Sequence, residues 1–132
     1  MSKIHLIFSL ALLLLSCSKG EEGKEFDDNS LEGSWVLTNV SCFCGFPEDN
    51  DFTETHLLFD TEENKVTVDN RGKYEYFKPS GTYSYSGEDN RIKFEDGRDY
   101  RFEINKEILN LIFIDEPNIA DDEITYTLER EQ

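Results

Sequence analysis

From Gly33 onward, apolar and polar residues alternate with a period of two. The segments "SWVLTNVSC" (34–42), "THLLFD" (55–60), "KVTVD" (65–69), "GTYSYS" (81–86), "RIKFE" (91–95), "RDYRFEI" (98–104), "EILNLIFI" (107–114) and "EITYTLER" (123–130) read as eight short strands. In most of them one set points one way, as in Tyr83/Tyr85, Ile92/Phe94, Tyr100/Phe102/Ile104 and Ile124/Tyr126/Leu128, while Thr, Lys, Arg and Glu point the other. No ten-residue window carries a helical apolar stripe. "SGEDNR" (86–91) and "FEDGRD" (94–99) are tight-hairpin signals, which makes neighbouring strands antiparallel. Consecutive strands with one apolar face predict an all-β fold, an eight-stranded antiparallel up-and-down barrel whose closure removes exposed strand edges.

Connection lengths refine this expectation, because loops of such a barrel fall alternately on opposite rims. One rim receives 43–54, 70–80, the Asp96-Gly97 link and 115–122; the other receives 61–64, 87–90 and Asn105-Lys106. The expected shape is an elaborate mouth over a trimmed floor, with recognition carried by the long loops. Trp35, Phe59, Tyr83, Tyr85, Phe94, Tyr100, Phe102 and Tyr126 are candidates for the interior, which in an eight-stranded barrel is only just wide enough for side chains. Either these rings fill it and the rim does the binding, or Tyr83, Tyr85, Phe94, Tyr100, Phe102 and Tyr126 line a small-molecule cavity.

The first residues obey a different pattern. Lys3 precedes an apolar run from Ile4 to Leu15, broken only by His5 and Ser9. That run is shorter than the ~20 residues a bilayer-spanning helix needs, so residues 1–16 read as a secretion signal. Its end, Leu14-Leu15-Ser16-Cys17, resembles the lipobox of bacterial lipoproteins. The resemblance implies cleavage between Ser16 and Cys17, a diacylglycerol thioether on Cys17 and a fatty acyl group such as palmitate on its amine. Several acyl chains at ~0.8 kcal/mol per buried methylene make a stable membrane anchor. Ser18 and the "SKGEEGKE" stretch (18–25) look like outer-membrane and surface sorting signals. Residues 17–32 would form the lipidated cysteine and its acidic tether, with only Phe26 and Leu31 apolar beyond the cysteine and a reach of ~20 Å. The expected address is the cell envelope, anchored to the outer membrane.

Charge narrows the partners. The formal net charge is −16, and residues 1–16 hold Lys3 but no acid, so the acidic excess belongs to residues 17–132. Nucleic acid is excluded as a partner, and cations or basic surfaces are favoured electrostatically.

The opening strand identifies a family. "LEGSWVLTNV" (31–40), with Gly33-Ser34-Trp35, resembles the first strand of lipocalin-like domains, and "PSGTYSYSGEDNRIKFEDG" (79–97) resembles the central hairpin of small lipocalin-like lipoproteins. The resemblance covers 31–130 and implies a barrel domain over 33–130 that takes a small hydrophobic ligand. It also implies an Arg from the last strand stacked on the Trp. Rim parity puts Arg130 on the floor with Trp35, where a cation–π contact contributes ~0.5–1 kcal/mol. A META-type β domain, which also opens with a Gly-x-Trp-like strand, is the architectural alternative.

Candidate chemistry concentrates in "CFCGFPEDNDF" (42–52). Cys42 and Cys44 form a disulfide pinning a lid, remain quiet thiols, bind copper or zinc with His56 as third ligand, or serve a redox role. Two thiolates and one imidazole fall short of a closed site, so no metal is assigned. Phe43, Phe46 and Phe52 are lid contacts or a partner-binding patch. Once His5 has left with the leader His56 is the sole histidine, and no Gly-x-Ser-x-Gly, His-Glu-x-x-His or phosphate-cradling loop exists, so neither catalysis nor a cofactor is expected. "PEDND" (47–51) and "DEPNIADDE" (115–123) read as solvated acid rather than calcium loops. The expected function is binding of a small apolar molecule, a glycan or an envelope partner at the open rim. The alternatives are an accessory subunit of an envelope complex, and a metal or redox sensor acting through Cys42 and Cys44.

Overall fold

The computed structural model describes residues 30–114 and 123–132. The apolar leader, the Ser16-Cys17 junction, the tether up to residue 29 and the mouth segment 115–122 therefore lie outside the described residues. Eight strands form: β1 (Gly33–Ser41), β2 (Thr55–Asp60), β3 (Lys65–Asn70), β4 (Gly81–Glu88), β5 (Arg91–Phe94), β6 (Asp99–Asn105), β7 (Ile108–Ile114) and β8 (Thr125–Arg130). Each pairs antiparallel with its sequence neighbours, and β8 returns to pair with β1, closing the barrel. Of the two architectures weighed from sequence, the up-and-down barrel is the one formed.

Alternation explains which face each strand buries. Leu57 and Phe59 of β2, Val66 and Val68 of β3, Ile92 and Phe94 of β5, and Leu109 and Leu111 of β7 all point into one buried cluster. Their in-between neighbours face water; Leu58 is the apolar exception, half exposed on the outer wall. β1 breaks the period. Trp35 and Leu37 are inward, then Val40, because the register with β8 slips between Leu37 and Asn39. Such a bulge inserts one residue and sharpens local twist, and Thr38 ties it down by donating its hydroxyl to the Thr127 carbonyl at 3.1 Å.

The floor turns are tight because their residues accept left-handed backbone. Asp89 and Asn90, both at positive φ (52° and 63°), join β4 to β5, the conformation that matches strand twist in a two-residue hairpin. Asn64 (φ 53°) closes the β2–β3 turn and Lys106 (φ 59°) the β6–β7 turn. Asn105 pairs with Ile108, so this last link is Lys106-Glu107 and not Asn105-Lys106. At the other end, long connections 42–54 and 71–80 rise over the mouth.

Candidate functional site

At the floor, the start of β1 and the end of β8 lock together. Trp35 is fully buried and in register with Arg130, whose guanidinium sits 4.2 Å from the indole ring. The same guanidinium donates to the carbonyls of Glu32 and Ser30, each at 3.0 Å, and the indole N–H donates to the Leu31 carbonyl at 2.8 Å. The Glu32 carboxylate accepts from the backbone N–H (2.7 Å) and hydroxyl (2.8 Å) of Thr61. Residues 30–32 thus run across the barrel end. Arg130 both stacks on the ring and caps carbonyls that no strand partner would satisfy, a combination its five donors allow.

The mouth is stopped by a residue that strand reasoning did not place inside. Phe77, on the β3–β4 connection, is buried and packs its ring against Tyr100 (5.3 Å), Tyr126 (5.2 Å) and Phe94 (6.1 Å). Beside it Lys78 is also buried. Its Nζ lies 2.8 Å from Asp96 Oδ2, 4.6 Å from the centre of the Phe94 ring and 4.8 Å from that of Tyr83. A buried ammonium must be paired and hydrogen-bonded to be tolerated, and a carboxylate plus two ring faces supply that. The Lys78 hydrogen bond and the Arg98 backbone N–H hold the Asp96 carboxyl below the usual range. Asn70 secures the connection by donating its side-chain amide to the Lys78 carbonyl (2.8 Å) and its backbone N–H to the Ser80 hydroxyl (2.9 Å).

The candidate cavity residues divide accordingly. Tyr85, Phe94, Tyr100 and Tyr126 are buried; Tyr83 and Phe102 are half-buried. Tyr83 donates its hydroxyl to the Pro79 carbonyl at 2.6 Å, joining β4 to the plug. Burial pushes the Tyr100 phenol up to about 12, with Tyr126 adding to the rise and Arg98 opposing it; burial raises Tyr126 likewise. Among the described residues no buried side-chain nitrogen or oxygen lacks a hydrogen-bond partner. The upper interior is filled by rings. One of the surface clefts lies at the floor end, about 290 Å³ between Leu31, the β2–β3 turn and the β4–β5 hairpin, reaching Tyr85, Ile92 and Phe102.

The long mouth loops hold each other. Cys42 and Cys44 form a disulfide, with Cα atoms 5.2 Å apart. Phe46 and Phe52 pack edge-on to each other (5.2 Å) and against Tyr76 of the second loop (5.7 and 4.8 Å), whereas Phe43 is 94% exposed. The three phenylalanines therefore do different things. Asp49 accepts from the Tyr74 hydroxyl at 2.9 Å. Asp51 accepts from the backbone N–H and hydroxyl of Thr53, which lowers its pKa and caps a 3-10 turn over Phe52–Glu54. Both acids stay exposed, as expected of solvated acid, and in addition tie the loop down. His56 faces the outer wall, its Nδ1 bonded to Glu131. Among the described residues no three His, Cys, Asp or Glu side chains gather as metal ligands, so His56 is not brought to the cysteine pair.

The sequence signal for Phe77 and Lys78 was present but not periodic. "KYEYFKPS" (73–80) sets three aromatic residues in a loop, which is unusual for chain that stays in water, and the residue before a proline is biased to extended backbone. No curated protein matches the chain. Residues 31–111 match the lipocalin-like domain family, spanning the Gly33-Ser34-Trp35 opening, the plug and the β4–β5 hairpin, and the chain belongs to that family.

Proposed function

We propose that this protein is a membrane-tethered, small-ligand-binding barrel of the bacterial cell envelope, anchored to the outer membrane by lipid on Cys17 and processed between Ser16 and Cys17. The observation that carries the binding half is the nature of the mouth closure. A loop side chain, Phe77, stops the barrel, and loops open at far lower free energy than a strand ladder. Swinging 71–80 outward would expose Phe94, Tyr100 and Tyr126, a ring-lined chamber suited to a small apolar guest. The anchor half is supported by chain direction: residues 30–32 enter at the floor, so a tether from Cys17 would leave the mouth facing away from the membrane.

Mass spectrometry tests both halves on the mature protein extracted from membranes. Under denaturing conditions the expected product starts at Cys17 and carries acyl chains; an unmodified amino terminus overturns the anchor. Under native conditions a non-covalent small molecule is expected, and a stoichiometric protein in its place overturns the ligand reading in favour of an accessory subunit. That second reading is favoured by Phe43, a bare aromatic ring next to the disulfide, which suits a protein contact on the rim. Retained copper or zinc on reduced Cys42 and Cys44 would instead indicate sensing.

A further inference from the structure

We propose that the floor-end cleft is a binding site of its own, taking a small cationic amphiphile: an apolar or aromatic body bearing a protonated amine. This rests on the small-ligand reading and assigns it a second place and a chemistry. The cleft, about 290 Å³ in volume, lies near the lower end of what ligand pockets occupy, so the guest must be small. Its inner wall is apolar, with Ile92 and Tyr85 buried and Phe102 half-buried. Its outer edge is acidic. Glu88 and Asp89 stand there on the hairpin, and Arg91, the one cation of the lining among the described residues, is engaged by Asp99 at 2.5 Å. Glu32 and Asp60 add to the field: after burial, their negative charge is what pushes the Tyr85 phenol up. A carboxylate guest would meet like charge, whereas an ammonium would gain from the acids and from the ring faces.

The cleft sits opposite the plug. It is bounded by Leu31, whose carbonyl holds the indole of Trp35, and Trp35 is the single tryptophan of the chain. A guest against Leu31 is therefore reported by Trp35.

Two fluorescent probes decide the matter on the purified mature protein: dansylcadaverine, which carries an amine, and anilinonaphthalene sulfonate, which is anionic. Dansylcadaverine is expected to quench Trp35 by energy transfer with saturation, and the sulfonate not to. Exchanging both hairpin acids, Glu88→Gln with Asp89→Asn, is expected to weaken the amine probe roughly tenfold. Both residues are exposed, and asparagine tolerates the left-handed backbone at position 89. Exchanging two exposed acids away from the cleft, Glu48→Gln with Glu103→Gln, is expected to leave that affinity unchanged. Equal binding of the amine probe to wild type and the hairpin variant, or an equal loss in the variant with the distant acids exchanged, overturns the floor site while leaving a ligand-binding barrel standing. Failure of the amine probe to saturate also overturns it, and if the native protein in addition carries no small molecule, the ligand reading falls as well.

Discussion

The two ends of the barrel are closed by opposite means. The floor uses backbone: short turns in left-handed conformation, and residues 30–32 bonded to Arg130, Trp35 and Thr61. The mouth uses side chains on loops, with Phe77 as stopper, Lys78 paired to Asp96, and Tyr76 packed against Phe46 and Phe52. The first arrangement is tied into the strand ladder, so it opens only when the fold does. The second is held to the ladder by ring packing, one ion pair and hydrogen bonds from Asn70 and Tyr83, none of them part of the strand pairing. Closure by backbone at one end is thereby combined with closure by loop side chains at the other.

Truncation should expose that difference most strongly. Trp35→Ala removes a fully buried ring and leaves Arg130 without its stacking face, at an expected cost of ~4–5 kcal/mol, seen as a lowered midpoint in urea unfolding with strand signal and tertiary signal lost together. Phe77→Ala is expected to cost less, ~2–3 kcal/mol, because a loop can collapse or lift where a strand cannot. Its mark is local: hydrogen exchange should rise in 71–80 and leave β1 and β8 protected. Equal, global loss in both variants would erase the distinction between the ends.

Titration sharpens it further. A phenol whose folded pKa is raised stabilises the fold below its ordinary value of 10.0, and that contribution disappears as pH climbs toward about 12. The protein should lose on the order of 2 kcal/mol over that window, and Tyr100→Phe should flatten the loss in alkaline unfolding curves. Asp96 works in the other direction. Its lowered pKa contributes stability above the ordinary 3.8 that is lost as pH falls through the folded value. Acidification should thus free Lys78 and raise exchange in the plug, and Asp96→Asn should produce that state at neutral pH. The smallest effect is expected from removing the disulfide. Closing so short a ring constrains the unfolded chain little, so Cys42→Ser with Cys44→Ser should cost about 1–2 kcal/mol at most.

Strands were legible in the sequence because alternation is enforced by a closed wall with one dry face, as in Leu57/Phe59 and Ile92/Phe94. The floor was legible for a related reason: rim parity comes from strand order, and it put Trp35 and Arg130 at one end, where they stack. The mouth was not. Phe77 and Lys78 are placed by a long connection, in which no period links a residue to a direction, and Lys78 is buried only because Asp96, distant in sequence, meets it. The bulge in β1 was hidden too, since "TNV" carries no turn residue and the slip is a property of the pairing with β8.

The seam between β1 and β8 has a consequence for how the molecule assembles. Every other pairing joins neighbours along the chain, so those contacts form after short loops close; here Thr38 must find Thr127, 89 residues away. Loop-closure entropy weighs chiefly on that one event. The hairpin-like steps can zip in any order, but a molecule lacking its last strand stays an open ribbon with two bare edges, and only the arrival of Arg130 beside Trp35 turns that ribbon into a vessel.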